Sequence, residues 1–309
     1  MPETDAANRA WTERMPLASV NRAPLAPHFP WPYGNKGGMF LSFDVDAETP
    51  WNVADPSRYK ELVAMSYGGF EARVGVEKLL ELLRQEGLKA TFFMTGWSIE
   101  AHPAMAEAVL RDGHEIAHHG FWHIMPKPGD SMLVEEVERG FDTLKRRLGV
   151  VPLGYRAPNG ESCEELRVLL KNKGIVYSSS WRDDVRPYRH LLDDGTPGII
   201  ELPVTMTYDD WLFGLSHRYS PRPMFPREWV LSIWKDELLE TRDWGGMVTT
   251  VIHPQCSGRP MRLRLLREFL QFTKSLGDVW IAPGRDIAAH FQRCEAEAAK
   301  NGAAKNATS

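Results

Sequence analysis

Residues 40–51 read FLSFDVDAETPW, an apolar run followed at once by three carboxylates, Asp44, Asp46 and Glu48. The apolar run predicts a buried strand. Because side chains alternate along a strand, Asp44 and Asp46 are expected to point to the same side at its carboxyl end. Acidic residues at the end of a strand either cap a helix, lie in a solvated loop, or bind a positively charged group.

On both sides of this strand, short apolar runs alternate with amphipathic segments. Residues 76–86 place Val76, Leu79, Leu80 and Leu83 on one face before Gly87, a pattern that predicts a helix. Strands separated by helices need crossover connections and form a parallel sheet. About seven such units favour a single α/β domain with a closed or nearly closed barrel over a doubly wound sheet.

The two ends of the chain differ from the rest. Residues 1–37 are rich in Pro, Ala and aromatic side chains without periodicity, which predicts an N-terminal arm lying over the domain. Residues 38–294 are expected to form the barrel domain. Residues 295–309 are mostly small and polar, and we expect a flexible tail.

Composition excludes several classes of protein. The 309 residues are 43% hydrophobic and 25% charged with a net charge of −4, so no basic face for nucleic acid or a membrane surface is indicated. No apolar run is long enough to cross a membrane. Cys163, Cys256 and Cys294 lack CxxC spacing and are expected to be reduced thiols. The first residues carry no apolar leader, which together with the thiols predicts a cytoplasmic protein.

Reactive side chains collect where the predicted strands end, the usual place for function in such sheets. After the three acids, the third strand ends in HHGFWH (residues 118–123), the fourth reaches Arg156, and the penultimate one reaches His253. His119 and His123 are four residues apart, so both imidazoles can face one ion, and a carboxylate would complete a catalytic metal site with open positions. A lone HxxxH is weak evidence, and His114 and His118 leave the choice of pair open.

The motifs FDVDAE, HHGFWH, RAP and IHP, in this order, resemble the polysaccharide deacetylase family (the NodB-homology hydrolases) from about Phe40 to about Phe291. The segments WPYGNKGG, SYGGFEARVGVEKLLELL, SSSWRDDVRPY and HPQCSGRPMRLRLL resemble its branch of peptidoglycan deacetylase-like, allantoinase-like and cyclic imide hydrolase-like members. The resemblance implies a deformed (β/α)7-type barrel. It also implies a divalent ion that assists hydrolysis of an amide.

The resemblance also implies roles for individual residues. It makes Asp44 the catalytic base, Arg156 the partner of that base, and His253 the proton donor near the leaving group. Asp46, His119 and His123 become the metal ligands, with zinc the expected ion. Val45 separates two acids that are adjacent in the usual family motif, so the assignment of base and ligand between Asp44 and Asp46 stays open.

Aromatic residues flank the motifs, and some of them must belong to the core. We predict that five wall a substrate pocket: Trp51, Trp97, Trp122, Trp181 and Tyr208. Glu48 is either an outer hydrogen-bond acceptor or a solvated loop residue. The charged stretch RDDVRPYRH, residues 182–190, either offers further polar groups to the pocket from a loop or is a solvated run of charges.

The predicted reaction is hydrolysis of an amide C–N bond that is not a peptide bond. Without an export signal, we favour a small intracellular substrate, either a cyclic imide or ureide or an N-acetylated sugar. Deacetylation of peptidoglycan or another polysaccharide is the alternative within the same chemistry. Two alternatives lie outside it: a mononuclear iron oxygenase, which also uses two His and one carboxylate, and a non-catalytic binding protein. A homo-oligomer is left open.

Overall fold

The computed structural model describes residues 29–52, 56–125, 127, 129, 131–216 and 221–307, with only the helical backbone described for 302–307. Most of the predicted N-terminal arm, residues 1–28, lies outside the described residues. Phe29 and Trp31, which are described, pack into the core beside Phe291, and the Trp31 indole donates a hydrogen bond to Gly245 O at 2.9 Å.

Ten strands carry the fold. They are β1 (Gly37–Phe40), β2 (Ser42–Val45), β3 (Thr91–Met94), β4 (Glu115–His118), β5 (Gly154–Tyr155), β6 (Tyr177–Ser178), β7 (Tyr188–Leu191), β8 (Pro197–Glu201), β9 (Met247–Thr249) and β10 (Val279–Ala282). One sheet has the order β2-β3-β4-β5-β6-β8-β7 and the other β10-β1-β9. Every pairing is parallel except that of β7 with β8.

The two sheets curve into a barrel-like body. Strands β1 and β2 are consecutive parts of one extended segment, and Phe43 bridges Ile252 just beyond β9. On the other side, Asp209, beyond β8, bridges Val251. The described strands therefore surround one interior without forming a closed hydrogen-bonded ring. This confirms the expected single α/β domain of deformed-barrel type.

Helices connect most of the parallel strands. They are α1 (Thr49–Asn52), α2 (Leu62–Phe70), α3 (Val76–Glu86), α4 (Gly96–Ala101), α5 (Pro103–Arg111), α6 (Met132–Leu148), α7 (Glu164–Asn172), α8 (Trp211–Gly214), α9 (Arg227–Asp243), α10 (Pro254–Ser257), α11 (Pro260–Leu276) and α12 (Gly284–Ala307). Short 3₁₀ turns lie at Pro32–Gly34, Pro56–Lys60, Pro158–Gly160 and Met206–Tyr208, and a π-helical turn at Glu71–Gly75. None of the described helices has the length and apolar composition needed to cross a membrane.

The apolar face of helix α3, predicted from its sequence periodicity, packs into the core. Its predicted apolar face, including Leu79, Leu80 and Leu83, is buried in the largest core cluster. Full burial of a leucine contributes roughly 1.5–3 kcal/mol of hydrophobic stabilisation, so this face fixes the helix on the sheet. The helix ends at Gly87, whose φ of 68° is the left-handed conformation that suits a C-terminal cap.

The hairpin of β7 and β8 and the last helix differ from expectation. We expected residues 182–190 to form a loop, but Tyr188 and Arg189 at its end belong to β7 and pair antiparallel with Glu201 and Ile200. Helix α12 continues through residues 295–307, which we expected to be a flexible tail, and Arg189 forms an ion pair with Glu295 at 2.5 Å. The helix is therefore continuous across residue 295, where we expected the tail to begin.

Candidate metal centre and active site

The acids of the opening motif lie where β2 ends. Asp44 is part of β2 and Asp46 follows it, and both carboxylates are buried. Ala47 then takes a left-handed φ of 51°, and its N–H donates to Glu71 Oε1 at 2.6 Å. This bond fixes the turn that holds Asp46 at the carboxyl edge of the sheet.

Asp46, His119 and His123 form a cluster that fits a metal ion. Asp46 Oδ1 lies 3.4 Å from His119 Nε2 and 3.7 Å from His123 Nε2. Tetrahedral zinc with bonds near 2.0–2.1 Å separates its ligand atoms by about 3.3 Å, close to these distances. Asp46 Oδ1 is buried and has no hydrogen-bond partner, a costly state that a cation would relieve. The donor set therefore fits a divalent ion.

Both imidazoles are prepared to act as ligands. His119 Nδ1 donates to Arg156 O at 2.7 Å, which directs the lone pair of Nε2 toward Asp46. Burial, which has the largest effect, lowers the pKa of His123 to about 4, so its ring is neutral at pH 7. His123 also has a left-handed φ of 63°, an uncommon conformation that turns the end of the motif back toward the carboxylate.

The other two histidines of the region lie outside the cluster. His118 Nε2 donates to Val137 O at 2.8 Å, while its Nδ1 accepts the Gly120 N–H at 2.9 Å. His114 Nδ1 accepts the Ala90 N–H at 3.2 Å. Of the four histidines that the spacing left open, His119 and His123 are therefore the two that lie in the cluster with Asp46.

Asp44 is held by Arg156. Arg156 Nη1 donates to Asp44 Oδ1 at 2.5 Å, and Nη2 donates to the hydroxyls of Ser42 and Ser179, each at 2.9 Å. Burial alone would raise the pKa of Asp44, but Arg156, with His119 and His253 nearby, outweighs it and holds that pKa below its usual value. Asp44 is therefore an ionised carboxylate 3.9 Å from His119 Nε2.

His253 reaches Asp46 from the segment next to β2, because the preceding residue, Ile252, pairs with Phe43 and accepts the Asp44 N–H at 2.9 Å. Its Nδ1 lies 2.8 Å from Asp210 Oδ1, and its Nε2 lies 3.8 Å from Asp46 Oδ2. Asp210 also accepts the His253 N–H and a hydrogen bond from the Ser257 hydroxyl. Burial alone would lower the pKa of His253, but its bond to Asp210 and the surrounding carboxylates raise it well above the usual value. The surrounding carboxylates therefore favour the protonated form of His253, whose Nε2 faces the cluster.

These groups open into one cavity of about 450 Å³. Its lining comprises the six predicted catalytic and ligand residues together with Pro50, Arg58, Ala157, Asn159, Gly160, Ser179, Ser180, Arg182, Val204, Met206, Asp209, Trp211, Leu212, Arg222 and Val251. The predicted ligands and catalytic candidates thus meet in one place. A volume of this size is in the usual range for small-molecule sites.

The structure does not place the five predicted aromatic residues, Trp51, Trp97, Trp122, Trp181 and Tyr208, in the lining of the cavity. Apart from the three histidines, the aromatic side chain that lines it among the described residues is Trp211. The Tyr208 hydroxyl donates to Trp234 O at 2.5 Å inside the core. This correction has a simple cause: adjacency to a motif does not determine the side on which a side chain points.

The other four aromatic side chains pack against neighbours. Trp51 is buried, stacks on Tyr67 with ring centroids 4.9 Å apart, and donates to Gln255 Oε1 at 3.0 Å. Trp181 packs on His190 at 4.3 Å. Trp97 and Trp122 contact His102 and Phe121, respectively.

Sequence reasoning missed three acids of the site. Asp209 and Asp210 precede Trp211, and only the fold reveals that Asp210 supports His253. An acidic pair after the strand GIIELPV was the available signal. Glu71 supports the Asp46 turn from the π-helical turn Glu71–Gly75. It lies in the segment SYGGFEARVGVEKLLELL, which carries part of the family resemblance, but that resemblance gave it no role. Glu48 is bonded to His102 at 2.9 Å and is not part of the cavity lining.

Comparisons with known proteins identify relatives of this chain. A model of the family "Polysaccharide deacetylase" matches residues 62–178. The peptidoglycan deacetylase-like protein FGM2 of Gibberella zeae is 26% identical over 77% of this chain and 81% of its own length. The peptidoglycan deacetylase of Helicobacter pylori is 26% identical over 70% and 84%.

Solved structures give the same picture. A candidate polysaccharide deacetylase from Mycobacterium smegmatis superposes with a TM-score of 0.83 at 34% identity, covering 89% of this chain and 96% of that one. The Puue allantoinase superposes with a TM-score of 0.76 at 22% identity over 90% and 98%, a likeness of fold.

Proposed function

Because the chain belongs to the polysaccharide deacetylase family, we propose that it hydrolyses an amide C–N bond of a small cyclic substrate, either a cyclic imide or ureide or an N-acetylated sugar. Family membership makes the protein a hydrolase of C–N bonds other than peptide bonds and argues against the iron oxygenase. The presence of Asp44 and of all three candidate ligands argues against a non-catalytic binding protein. The substrate, the metal and the residue roles belong to the proposal.

The observation that carries the proposal is the arrangement of three groups in one cavity. A ligand cluster, Asp46 with His119 and His123, lies between an ionised carboxylate, Asp44, and His253, whose protonated form is favoured. Amide hydrolysis needs a base for water, charge stabilisation for an oxyanion, and an acid for the departing nitrogen. The cavity contains a candidate for each requirement.

Asp46, His119 and His123 would hold the metal, and we propose zinc because two imidazoles and one carboxylate are a common catalytic zinc set. When bound, such an ion supplies Lewis acidity toward a carbonyl oxygen and lowers the pKa of a nearby water. Asp44 and His253, on either side of the cluster, would accept and donate the protons.

Asp44 is proposed as the base. It is ionised, buried and fixed by Arg156, so it can accept a proton from an attacking water without rotating. The Asp44–Arg156 pair also leaves Asp46 as the acid without a hydrogen bond on Oδ1, which supports Asp46 as ligand and Asp44 as base.

His253 is proposed as the proton donor. Asp210 fixes Nδ1, so Nε2 is the nitrogen that faces the cavity and can protonate the leaving nitrogen. The distance of 3.8 Å from Asp46 Oδ2 keeps this nitrogen close to the reacting centre.

The size of the cavity supports a compact substrate, whereas the names of the two curated relatives favour the alternative of N-deacetylation of a polysaccharide. The test is a screen of metal-defined protein against succinimide, allantoin, N-acetylglucosamine and a chitin oligosaccharide series. Turnover of a monomeric substrate supports the proposal. Turnover that requires three or more linked sugars contradicts it and selects the polymer.

We also propose that the reaction takes place inside the cell. The three cysteines are free thiols, and Cys256 is buried, which suits a reducing compartment. Fractionation of the native host, with activity measured in the cytosolic and secreted fractions, tests this location.

A further inference from the structure

Helix α6 buries one acidic side chain against the segment that contains the two histidine ligands. The buried residues of this helix have the spacing of one helical face: Leu133, Glu136, Val137, Gly140, Thr143 and Leu144. Glu136 is the one carboxylate in this set and is only 3% exposed. A buried carboxylate is unfavourable unless hydrogen bonds compensate for the lost water, so the partners of Glu136 indicate what it stabilises.

The partners of Glu136 are backbone N–H groups on both sides of His123. Glu136 Oε1 accepts the Trp122 N–H at 2.8 Å and the Ile124 N–H at 3.0 Å, and Oε2 lies 2.9 Å from the same Trp122 nitrogen. Backbone N–H groups that converge on an anion in this way form a concave site that requires a defined backbone conformation. One carboxylate thus connects the residues before and after a candidate metal ligand.

His123 needs such support because of its backbone conformation. Its φ of 63° is in the left-handed region, which is unfavourable for a residue with a Cβ and persists only where surrounding contacts enforce it. His119 is oriented through its own ring, because Nδ1 donates to Arg156 O. His123 Nδ1 is buried and has no hydrogen-bond partner among the described residues, so the direction of this imidazole depends on its backbone.

Two glycines allow helix α6 to pack closely on this turn. A Cβ on Gly120, whose φ is +73°, would lie 2.5 Å from Glu136 Oε1. A Cβ on Gly140 of the helix would lie 2.8 Å from Gly120 O. Glycine at both positions therefore leaves room for the carboxylate directly against the turn that ends in His123.

We propose that Glu136 is a positioning residue for the metal centre: it holds His123 in the left-handed conformation that directs the imidazole toward Asp46. This inference rests on the proposed metal site of Asp46, His119 and His123. Without the hydrogen bonds to Glu136, the turn relaxes toward ordinary backbone conformations, and metal binding must restore it. A ligand that is held in place beforehand binds more tightly because this ordering is not needed.

The zinc affinity of the folded protein, measured by competition with a chromophoric chelator, tests the proposal. Glu136→Leu removes both acceptor oxygens and should weaken zinc binding by roughly 10- to 100-fold, the usual effect of losing a group that orients a metal ligand. Glu136→Gln should stay close to the wild type, because both N–H groups bind Oε1 and one carbonyl oxygen can accept both. Glu136→Asp is one methylene shorter and should bind zinc nearly as weakly as Glu136→Leu.

The comparison of Glu136→Gln with Glu136→Asp separates positioning from charge. If Glu136 acted only through a negative charge, Glu136→Asp would bind zinc more tightly than Glu136→Gln. Glu201→Leu is the matched control, because Glu201 is also buried and accepts two backbone N–H groups, those of Ser180 and Trp181, at 2.6 and 2.9 Å. Neither of these residues is a candidate ligand, so Glu201→Leu should lower stability and leave zinc affinity unchanged.

Equal zinc affinity in the wild type and Glu136→Leu would overturn the proposal, as would equal losses in Glu136→Leu and Glu201→Leu. If Glu136→Leu does not fold, the order of Glu136→Gln and Glu136→Asp decides. If the wild type binds no zinc, the proposed metal site fails instead, and amide hydrogen exchange of the metal-free protein decides the role of Glu136. Faster exchange at Trp122 and Ile124 in Glu136→Asp than in Glu136→Gln supports that role, and equal exchange refutes it.

Discussion

Asp44 Oδ1 accepts a hydrogen bond from Arg156 Nη1 at 2.5 Å, between residues that are 112 positions apart in the chain. Asp46, two residues beyond Asp44, has one oxygen with no hydrogen bond at all. One turn of backbone thus gives two neighbouring carboxylates opposite environments, one neutralised by a guanidinium and one facing two imidazoles. That contrast is the physical basis for giving them different tasks.

The first prediction separates the two acids. Asp44→Asn should leave the metal bound and lower kcat by ~10²–10⁴-fold, the usual contribution of a general base. Asp46→Asn should instead lose the metal. Metal analysis after dialysis, together with kcat, checks both variants. If Asp44→Asn loses the metal and Asp46→Asn retains it, the two roles are exchanged.

The second prediction concerns the pair of histidines. His123→Ala should reduce the metal content well below one ion per chain, because it removes one of three ligands. His114→Ala is the control, since His114 is also buried but bonds to Ala90 outside the cluster. Undiminished stoichiometry in His123→Ala, with activity intact, would refute the ligand assignment.

The same residues show which features of the site could be predicted from the sequence. The spacing of His119 and His123 and the alternation of Asp44 and Asp46 are local properties of a turn and a strand, so they could be predicted. The apolar face of α3 and its end at Gly87 follow from the same kind of local periodicity. Parallel strands then bring their carboxyl ends together, which placed Arg156 and His253 at the site.

What could not be predicted depends on contacts between distant segments. Asp210 supports His253 across 43 residues, and Glu71 supports Ala47 across 24, with no periodic signal for either contact. The direction of Trp51 and Tyr208 depends on which neighbours fill the core around them. The β7–β8 hairpin was missed because its alternation is short and follows a stretch of charged residues.

The third prediction uses the fixed tautomer of His118. Its Nδ1 accepts the Gly120 N–H, and burial lowers its pKa to about 4. The folded pKa is below the unfolded value near 6.5, so the unfolded state binds the proton first and stability falls as pH drops from 6.5 toward 4.

Between pH 7 and pH 5 this histidine alone should lower the free energy of unfolding by about 2 kcal/mol. Urea unfolding of the metal-free wild type and His118→Asn at both pH values measures it. The variant should lose less stability over this interval than the wild type. An equal loss in both would show that other groups cause the acid sensitivity.

The fourth prediction concerns Glu71, which is fully buried and accepts the Ala47 N–H beside Asp46. Glu71→Gln retains an acceptor oxygen and should bind zinc almost as well as the wild type. Glu71→Leu leaves the Ala47 N–H without a partner, so we expect a loss of about 1–3 kcal/mol in stability and weaker zinc binding.

Glu115→Leu is the matched control for Glu71→Leu. Glu115 is also buried and accepts hydrogen bonds from Thr91 and Tyr177, but it lies at the opposite end of the sheet from the site. Its loss should destabilise the fold without weakening zinc binding by the folded protein. Competition with a chromophoric chelator measures the zinc affinity. Equal weakening in both variants would show that Glu71 acts only through general stability.

The last prediction concerns His253 and Asp210. His253 can donate a proton only while protonated, and its raised pKa keeps it protonated above pH 6.5. The profile of kcat/KM against pH should therefore have an alkaline limb. Removing the Asp210 charge should lower the pKa of His253, so Asp210→Asn should shift that limb to lower pH.

Substrates with different leaving groups provide an independent test of His253 as the proton donor. His253→Ala should abolish the alkaline limb without loss of metal, and should slow substrates with poorly leaving nitrogens much more than substrates whose nitrogen departs without protonation. His253 Nε2 is only 3.8 Å from Asp46 Oδ2, so metal content must be measured beside the rates. Loss of metal in His253→Ala would make His253 a ligand, and equal slowing of both substrate types would exclude it as the acid. A shift of the limb in Asp210→Asn, together with selective slowing in His253→Ala, is the result that only a proton donor gives.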